Sequence, residues 1–285
     1  MWNCPACHAP LALELSLNQH QRQWQCETGH SYDVAKEGYV NLMLANQKNS
    51  KEPGDNKAMI NARRAFLDQG YYQPLAEQLA QLIEQYCPTE TLNIYDAGCG
   101  EGYYLNHIQQ VLLQTKTADR TIVAQGSDIA KVAVQKAAKK YPQSQFAVAS
   151  SFHLPIGSRS IDALIQVFAP LSEIEVYRAL KNGGIWLSVN PAAEHLWQLK
   201  QALYDTPQPF VVEEVKAEGL TPCYQQTLQF AIHIDDPQQR QHLLAMTPYY
   251  WSTPKEKLPQ VLAAMANLTI AFDIQVQIKQ GQTDA

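Results

Sequence analysis

Cys4, Cys7, Cys26 and His30 have the types and spacing to hold a metal. Cys-x2-Cys and Cys-x3-His each put two donors on one tight turn. The eighteen residues between the pairs are enough for a β-hairpin, and the whole suits a tetrahedral zinc ion. Pro5 and Gly29 fit the two turns. Four protein ligands leave no open coordination position, so the expected ion is structural. A segment of roughly thirty residues buries too little apolar surface to fold alone, whereas a structural zinc supplies about 10–16 kcal/mol of apparent folding free energy. Three of the six cysteines fall in this stretch, and such clustering in a chain this long points to metal rather than to a disulfide framework. Two imidazoles are left over: His8, directly after Cys7, and His20, at the expected hairpin tip.

A second constellation lies further along. In "LNIYDAGCGEGYY" (92–104) a short apolar strand runs into Asp96-Ala-Gly98-Cys-Gly100-Glu101-Gly102, with a helix expected from Tyr103. Alternate glycines let the backbone turn sharply and approach a ligand closely. The spacing is G-x-G-x-G, not the G-x-G-x-x-G of dinucleotide binders, and it resembles motif I of class I S-adenosylmethionine (SAM)-dependent methyltransferases. "TIVAQGSD" (121–128) predicts a second strand ending on Asp128. In the resembling class an acid there binds the cofactor ribose, and a carboxylate can accept two hydroxyl donors at once. The third strand runs into Ser150-Ser151 where that class usually has an acid, so a hydroxyl or backbone amide must meet the adenine.

The elements that would position these groups alternate in type. "AMINARRAFLDQG" (58–70) reads as a helix with Met59, Ala62 and Phe66 near one face and Gly70 as its stop. "YQPLAEQLAQLIEQYC" (72–87) reads as a second, with Leu75, Leu79, Leu82, Ile83 and Tyr86 on its apolar side. "SIDALIQVFAP" supplies a fourth strand, begun structurally by Asp162. "VYRALKNGGIWLSVNP" supplies a helix, a Gly183-Gly184 turn and a fifth strand. Such alternation predicts a parallel, doubly wound sheet. "TLQFAIHI" and "IAFDIQVQI" alternate apolar and polar residues, as a terminal antiparallel pair with one solvated face would. The expected fold is therefore α/β, Rossmann-like as in class I methyltransferases, with an N-terminal zinc ribbon. The expected divisions are a ribbon module over 1–45, a polar linker over 46–57 and the SAM domain over 58–285. Tyr32, Tyr39 and Leu42 are expected to pack on the ribbon.

Composition narrows the function classes. A chain of 285 residues, 46% hydrophobic and 17% charged, suits one large α/β domain with a small appendage. It has no apolar run long enough to span a membrane and no signal-peptide pattern, so a cytoplasmic location is expected. The net charge of −5 is unevenly spread: residues 1–70 are neutral. Within 36–64, Lys36, Lys48, Lys51, Lys57, Arg63 and Arg64 face Glu37, Glu52 and Asp55. By itself so modest a local surplus is ordinarily a solvated surface, and the acidic net charge argues mildly against a nucleic-acid partner.

The string of ribbon, "AKEGYVNL", "PGDNKAMINARRAFLDQGYYQPL" and "DAGCGEGYY", joined by "VASS", "NGG" and "MTPYYW", resembles the RlmA (RrmA) family of bacterial 23S ribosomal RNA guanine-N1 methyltransferases. The resemblance covers nearly the whole chain and is weakest over 204–225 and the tail. It implies SAM as cofactor, a zinc-binding RNA-recognition module and a homodimer. The implied reaction is methylation of a guanine in a hairpin loop of domain II of 23S RNA. The Gram-negative-type subgroup, acting at guanine 745, is the nearer match. The ligand set it implies is Cys4, Cys7, Cys26 and His30 for zinc, with Tyr72, Gly100, Glu101 and His195 on the cofactor. Gly98, Gly102 and Asp128 join the cofactor set through motif I and the second strand end. No residue declares itself as the base for guanine N1. Candidates are groups following "VFAP" (167–170) and "VNPAAEH", with Phe168 as a possible stacking partner for the base. The rivals are a methyltransferase of a small metabolite and a non-catalytic zinc-dependent binding module.

Overall fold

The computed structural model describes residues 2–15, 22–47, 54–114, 120–212 and 217–281. His20, Lys48, Lys51, Glu52 and the linker stretch 48–53 lie outside the described residues.

β1 (Ala12–Leu15), β2 (Arg22–Gln25) and β3 (Ser31–Asp33) form a three-stranded antiparallel ribbon. The expected hairpin is present, with Leu13 opposite Trp24 and Trp24 opposite Tyr32. The ribbon is built onto the body of the protein. Trp2 and Leu11, 1% and 0% exposed, share one apolar cluster with Cys4 and Cys26 and with Tyr95, Leu164 and Trp186 of the large sheet. Trp2 meets Tyr95 edge-on at 6.3 Å, and the Asn3 N–H donates to the Pro155 carbonyl at 2.8 Å. β4 (Val40–Asn41) keeps one antiparallel bridge to the ribbon's end, Val40 to Val34, but pairs parallel with the large sheet, although it falls within the expected 1–45 module. Tyr39 likewise packs in the main core, with Phe66 and Tyr72, rather than on the ribbon.

Next come α1 (Lys57–Leu67), α2 (Gln73–Tyr86), β5 (Thr91–Ala97), α3 (Tyr103–Gln114), β6 (Thr121–Asp128), α4 (Lys131–Lys140) and β7 (Gln145–Val148). Asn56 caps α1 by accepting the Met59 N–H at 3.0 Å, and Pro74 sits in the first turn of α2, where its missing N–H costs nothing. The chain then crosses back to β8 (Ile161–Val167), α5 (Glu173–Ala179) and β9 (Leu180–Pro191). α6 (Trp197–Leu203), β10 (Leu220–His233), α7 (Pro237–Ala245), α8 (Tyr249–Ser252), α9 (Leu258–Ala264) and β11 (Asn267–Lys279) complete it. The large sheet has the order β10-β11-β9-β8-β5-β6-β7-β4. It is parallel from β4 to β9, and β11 runs antiparallel to both β9 and β10. β6 and β8 lie on opposite sides of β5, so a crevice must open where their outgoing loops part.

Two expectations are corrected. Gly183 and Gly184 lie inside β9, where the register against β8 shifts, so the strand starts earlier than a turn there would allow. The terminal pair is present, but only β10 has a solvated face. β11 is flanked by β9 and β10, and its alternating polar residues Asp273, Gln275, Gln277 and Lys279 are buried. Three of them are paired from within: Gln275 donates to Asp273 at 2.6 Å, and Lys279 Nζ donates to the Tyr177 and Leu180 carbonyls.

Candidate active site and metal centre

The donor atoms of Cys4, Cys7, Cys26 and His30 all lie within 4.8 Å of one another. Cys7 Sγ is 3.7 Å from Cys26 Sγ. His30 Nδ1 is 3.6 Å from Cys4 Sγ and 3.4 Å from Cys26 Sγ. A zinc tetrahedron with Zn–S of about 2.3 Å and Zn–N of about 2.0–2.1 Å has S···S edges of about 3.8 Å and S···N edges of about 3.5 Å. The donor set fits zinc in spacing and in chemistry. Hydroxyls stand outside it: Tyr32 Oη is 3.2 Å from Cys4 Sγ, and Thr28 Oγ1 is 3.2 Å from Cys7 Sγ and 3.0 Å from Cys26 Sγ. Burial alone would push the Cys26 thiol up. Hydrogen bonds to Thr28 and His30 outweigh it and lower the pKa to about 6, towards the thiolate that metal ligation needs.

At the carboxyl ends of β5, β6, β7 and β8 lies a cavity of about 1050 Å³. The loop after β5 forms its floor, with Gly98 and Gly100 at φ +80° and +54°. A Cβ on Gly98 would lie 2.3 Å from Ala169 Cβ, so only glycine lets the loops after β5 and β8 meet there. Gly100 faces the slot, and its N–H donates to Asp128 Oδ2 at 2.9 Å. The Ala130 N–H donates to Asp128 Oδ1 at 2.7 Å, so the carboxylate is fixed from both sides. Gly102 is a correction: it does not line the cavity. Its missing side chain instead makes room for Phe146, Tyr141 and Ala137, which a Cβ would approach to 3.1–3.2 Å.

Tyr72, Glu101, Asp128 and His195, spread over 124 positions of sequence, all reach this one cavity. Tyr72 Oη, Asp96 Oδ2 and Glu101 Oε2 are buried on its wall with no hydrogen-bond partner among the described residues. Buried polar atoms are normally satisfied, so a polar ligand belongs here. Asp55, Asp96, Glu101 and Asp128 line the cavity, and Arg63 is the one Lys or Arg among its described lining residues. SAM fits that balance: its sulfonium and ammonium groups suit a carboxylate-rich slot, its ribose suits Asp128, and its carboxylate needs a cation. Burial, then the negative charges of Asp128 and Glu101, push the Asp96 carboxyl up to about 8. Burial also raises Glu101, against the nearby Arg63.

Aromatic rings also line the cavity. Phe168, directly after β8, holds φ +55°, an uncommon conformation for a bulky residue. Its ring is 43% exposed and lies 5.6 Å from Phe272 and 6.1 Å from His195. His195 Nδ1 accepts the Ala271 N–H at 3.3 Å. Burial, with the Lys200 charge, lowers its pKa to about 4. The imidazole is therefore neutral, with its proton on Nε2, and the free edge of the ring is a hydrogen-bond donor. Asp162, as expected, is structural: it accepts the Asn93 N–H and the Lys181 ammonium.

Sequence reading missed Arg63 and Asp55 as cavity residues. Arg63 counted towards the local basic surplus, yet it pairs with Asp55 beside Gly100. The bend at Gly54 and Asp55 carries a weak signal: Gly54 has φ +84°, and a Cβ there would lie 2.9 Å from Ile129 Cγ2. The bend is thus pressed onto the end of β6, next to Asp128. Met246, Tyr249 and Trp251, from the β10–β11 connection, were also unassigned and line the cavity.

Residues 2–51 match the zinc-ribbon family described as RlmA, N-terminal. Over 271 residues the chain is 31% identical to the 23S rRNA (guanine(748)-N(1))-methyltransferase of Streptomyces fradiae, covering 93% of this chain and 91% of that one. Over 287 residues it is 30% identical to YxjB of Bacillus subtilis, covering 98% and 96%. The name of YxjB gives the guanine-N1 reaction on 23S rRNA provisionally. Among solved structures, YcgJ from Bacillus subtilis superposes on 72% of this chain and 98% of its own at 15% identity, with a TM-score of 0.48.

Proposed function

The chain belongs to the RlmA family of 23S rRNA (guanine-N1)-methyltransferases, and from that premise we propose that it methylates N1 of guanine 745 in a hairpin loop of domain II of 23S rRNA. SAM supplies the methyl group on its sulfonium when bound, and a structural zinc knits the ribbon. In this reading the protein works in the cytoplasm as a homodimer. The ribbon and the basic residues Lys36, Lys48, Lys51, Lys57 and Arg64 hold the RNA, and the large domain takes the extruded guanine. The neighbouring guanine 748 is the position in the name of the Streptomyces relative. The choice of 745 rests on "AKEGYVNL" and "DAGCGEGYY", which are nearer to the Gram-negative-type subgroup.

The observation that carries the reading is one cavity lined both by four carboxyl groups and by exposed aromatic rings. Asp128 is held by two backbone amides to receive the ribose, and Arg63 is the cation for the methionine carboxylate. Tyr72 closes the slot from α2. Guanine enters beside Phe168, whose exposed ring gives it a face to stack on. N1 of guanine is a poor nucleophile until its proton leaves, and charge then gathers on O6. His195 is suited to donate from Nε2 to that oxygen. With Nδ1 engaged by Ala271 and Nε2 protonated, His195 is not the base. Excluding water and aligning the two partners is the remaining task of the cavity walls.

The test is mass mapping of 23S rRNA from a deletion strain and its complemented parent. A methyl mark on guanine 745 that vanishes and returns with the gene supports the reading. A mark on guanine 748 overturns the position, and intact marks at both overturn the substrate.

A further inference from the structure

Six aromatic side chains are strongly exposed among the described residues: Phe152, Phe168, Tyr177, Tyr204, Tyr250 and Trp251. All but Tyr177 line the cavity or contact a residue that lines it. Phe152, Phe168 and Trp251 line it. Tyr204 packs against the lining residue Tyr249 at 6.3 Å, and Tyr250 stands edge-on to Trp251 at 5.2 Å. Exposed aromatics scattered singly need no explanation, but a cluster continuous with a binding cavity does. Phe168 belongs to the target guanine, and Phe152 follows Ser150-Ser151 on the adenine side of the slot. α8 is left without a role.

Trp251 is 67% exposed and Tyr250 45%. Their mutual contact fixes the two rings at 85°, so the indole is braced while its own surface stays open. Lys255, also exposed, follows four residues on, past the end of α8. A flat, braced aromatic at the entrance of a cavity that takes a base has the chemistry of a single-strand binding surface.

We propose that Trp251, braced by Tyr250, is the stacking platform for a nucleotide adjacent to the target guanine, so that α8 reads the RNA at the mouth of the cavity. This rests on the reading of the chain as an RNA methyltransferase. It adds a contact that does not touch the reacting atoms. Trp251 is a positioning residue that holds the loop in its extruded form.

The test uses the full zinc-loaded chain and a transcript of the domain II hairpin. Trp251→Ala should raise KM for the transcript about tenfold to a hundredfold, the usual cost of one lost base–aromatic stack, with SAM affinity by calorimetry unchanged. Trp251→Phe should recover most of the loss. Transcripts with an abasic site on either side of the guanine keep the protein intact. One of them should raise the wild-type KM to the level of Trp251→Ala and leave the variant indifferent. A KM for Trp251→Ala within twofold of wild type, or no effect of either abasic site, overturns the proposal. Failure of the wild-type protein to methylate any 23S transcript would instead remove the reading on which it rests.

Discussion

Loss of zinc should weaken the SAM domain, not only the ribbon. Trp2 and Leu11 are 1% and 0% exposed, and both lie in the cluster that contains Tyr95, the residue before Asp96. Cys4 and Cys26, two of the four metal ligands, lie in the same cluster. If the ribbon unfolds, those two large side chains leave the face of the sheet. Burying each stabilises by about 1.5–3 kcal/mol, so about 3–6 kcal/mol is lost. That is a large part of the roughly 5–15 kcal/mol that holds a domain folded. For a domain of this size the unfolding midpoint should fall by roughly 6–24 °C. The perturbation is Cys26→Ala, checked by metal content. The assay is scanning calorimetry, with SAM titration below the lowered midpoint. Trp2→Ala is the companion: it should reproduce roughly half of the fall with zinc retained. If Cys26→Ala loses its metal and the main transition stays within about 2 °C of wild type, the shared core does not carry the energy assigned to it.

Three further outcomes follow from the cavity. Arg63→Gln should weaken SAM about tenfold to a hundredfold, the range for a lost charge-assisted bond. Decarboxylated SAM, which has no group for Arg63 to hold, should bind wild type and variant alike in calorimetry. Asp96 keeps its proton up to about pH 8 in the free protein, whereas a bound cation favours its ionised form. SAM affinity should therefore rise with pH up to about 8, flatten above it, and lose that rise in Asp96→Asn. The same raised pKa lowers the stability of the free protein as pH climbs from about 4 to about 8, because the unfolded carboxyl ionises first. Phe168→Gly should be about 1 kcal/mol more stable than Phe168→Ala by denaturant titration, since φ +55° strains alanine but not glycine. Both should lose RNA methylation while still binding SAM.

Much of the site was legible because its chemistry is local in sequence. The zinc ligands sit in two short turns, and Gly98, Gly100 and Asp128 sit at strand ends whose positions follow from periodicity. Tyr72 and His195 were reachable only through family resemblance, because nothing in "GYYQPL" or "AAEHLW" separates a cavity residue from a packed one. Arg63 was hidden for a different reason. A long cation on an amphipathic helix normally points to solvent, and only the docking of the Gly54 turn on Ile129 turns this one inward. The two-residue β4 could not be foreseen from its own composition, because its partner is the open edge of β7. β11 misled because alternation was read as one wet face, whereas its polar side chains are buried inside the sheet. Gly102 shows the converse error: a glycine in the right motif served helix packing.

The charge distribution of the cavity sets how RNA must approach. Asp55, Glu101 and Asp128 line the cavity beside Asp96, which keeps its proton below about pH 8 in the free protein, and one arginine, already paired with Asp55, opposes them. Two like charges about 4 Å apart repel by about 4 kcal/mol even at an effective dielectric of 20. A phosphate cannot follow a base into such a slot without meeting that repulsion, whereas the sulfonium cofactor is drawn to it. The neutral aromatic lining, with Phe168 and an uncharged His195, accepts a base without a similar cost. The nucleotide must then enter base-first with its backbone left at the rim, where the exposed aromatics of α8 stand. Extrusion of the guanine is thus favoured by what the cavity repels as well as by what it binds.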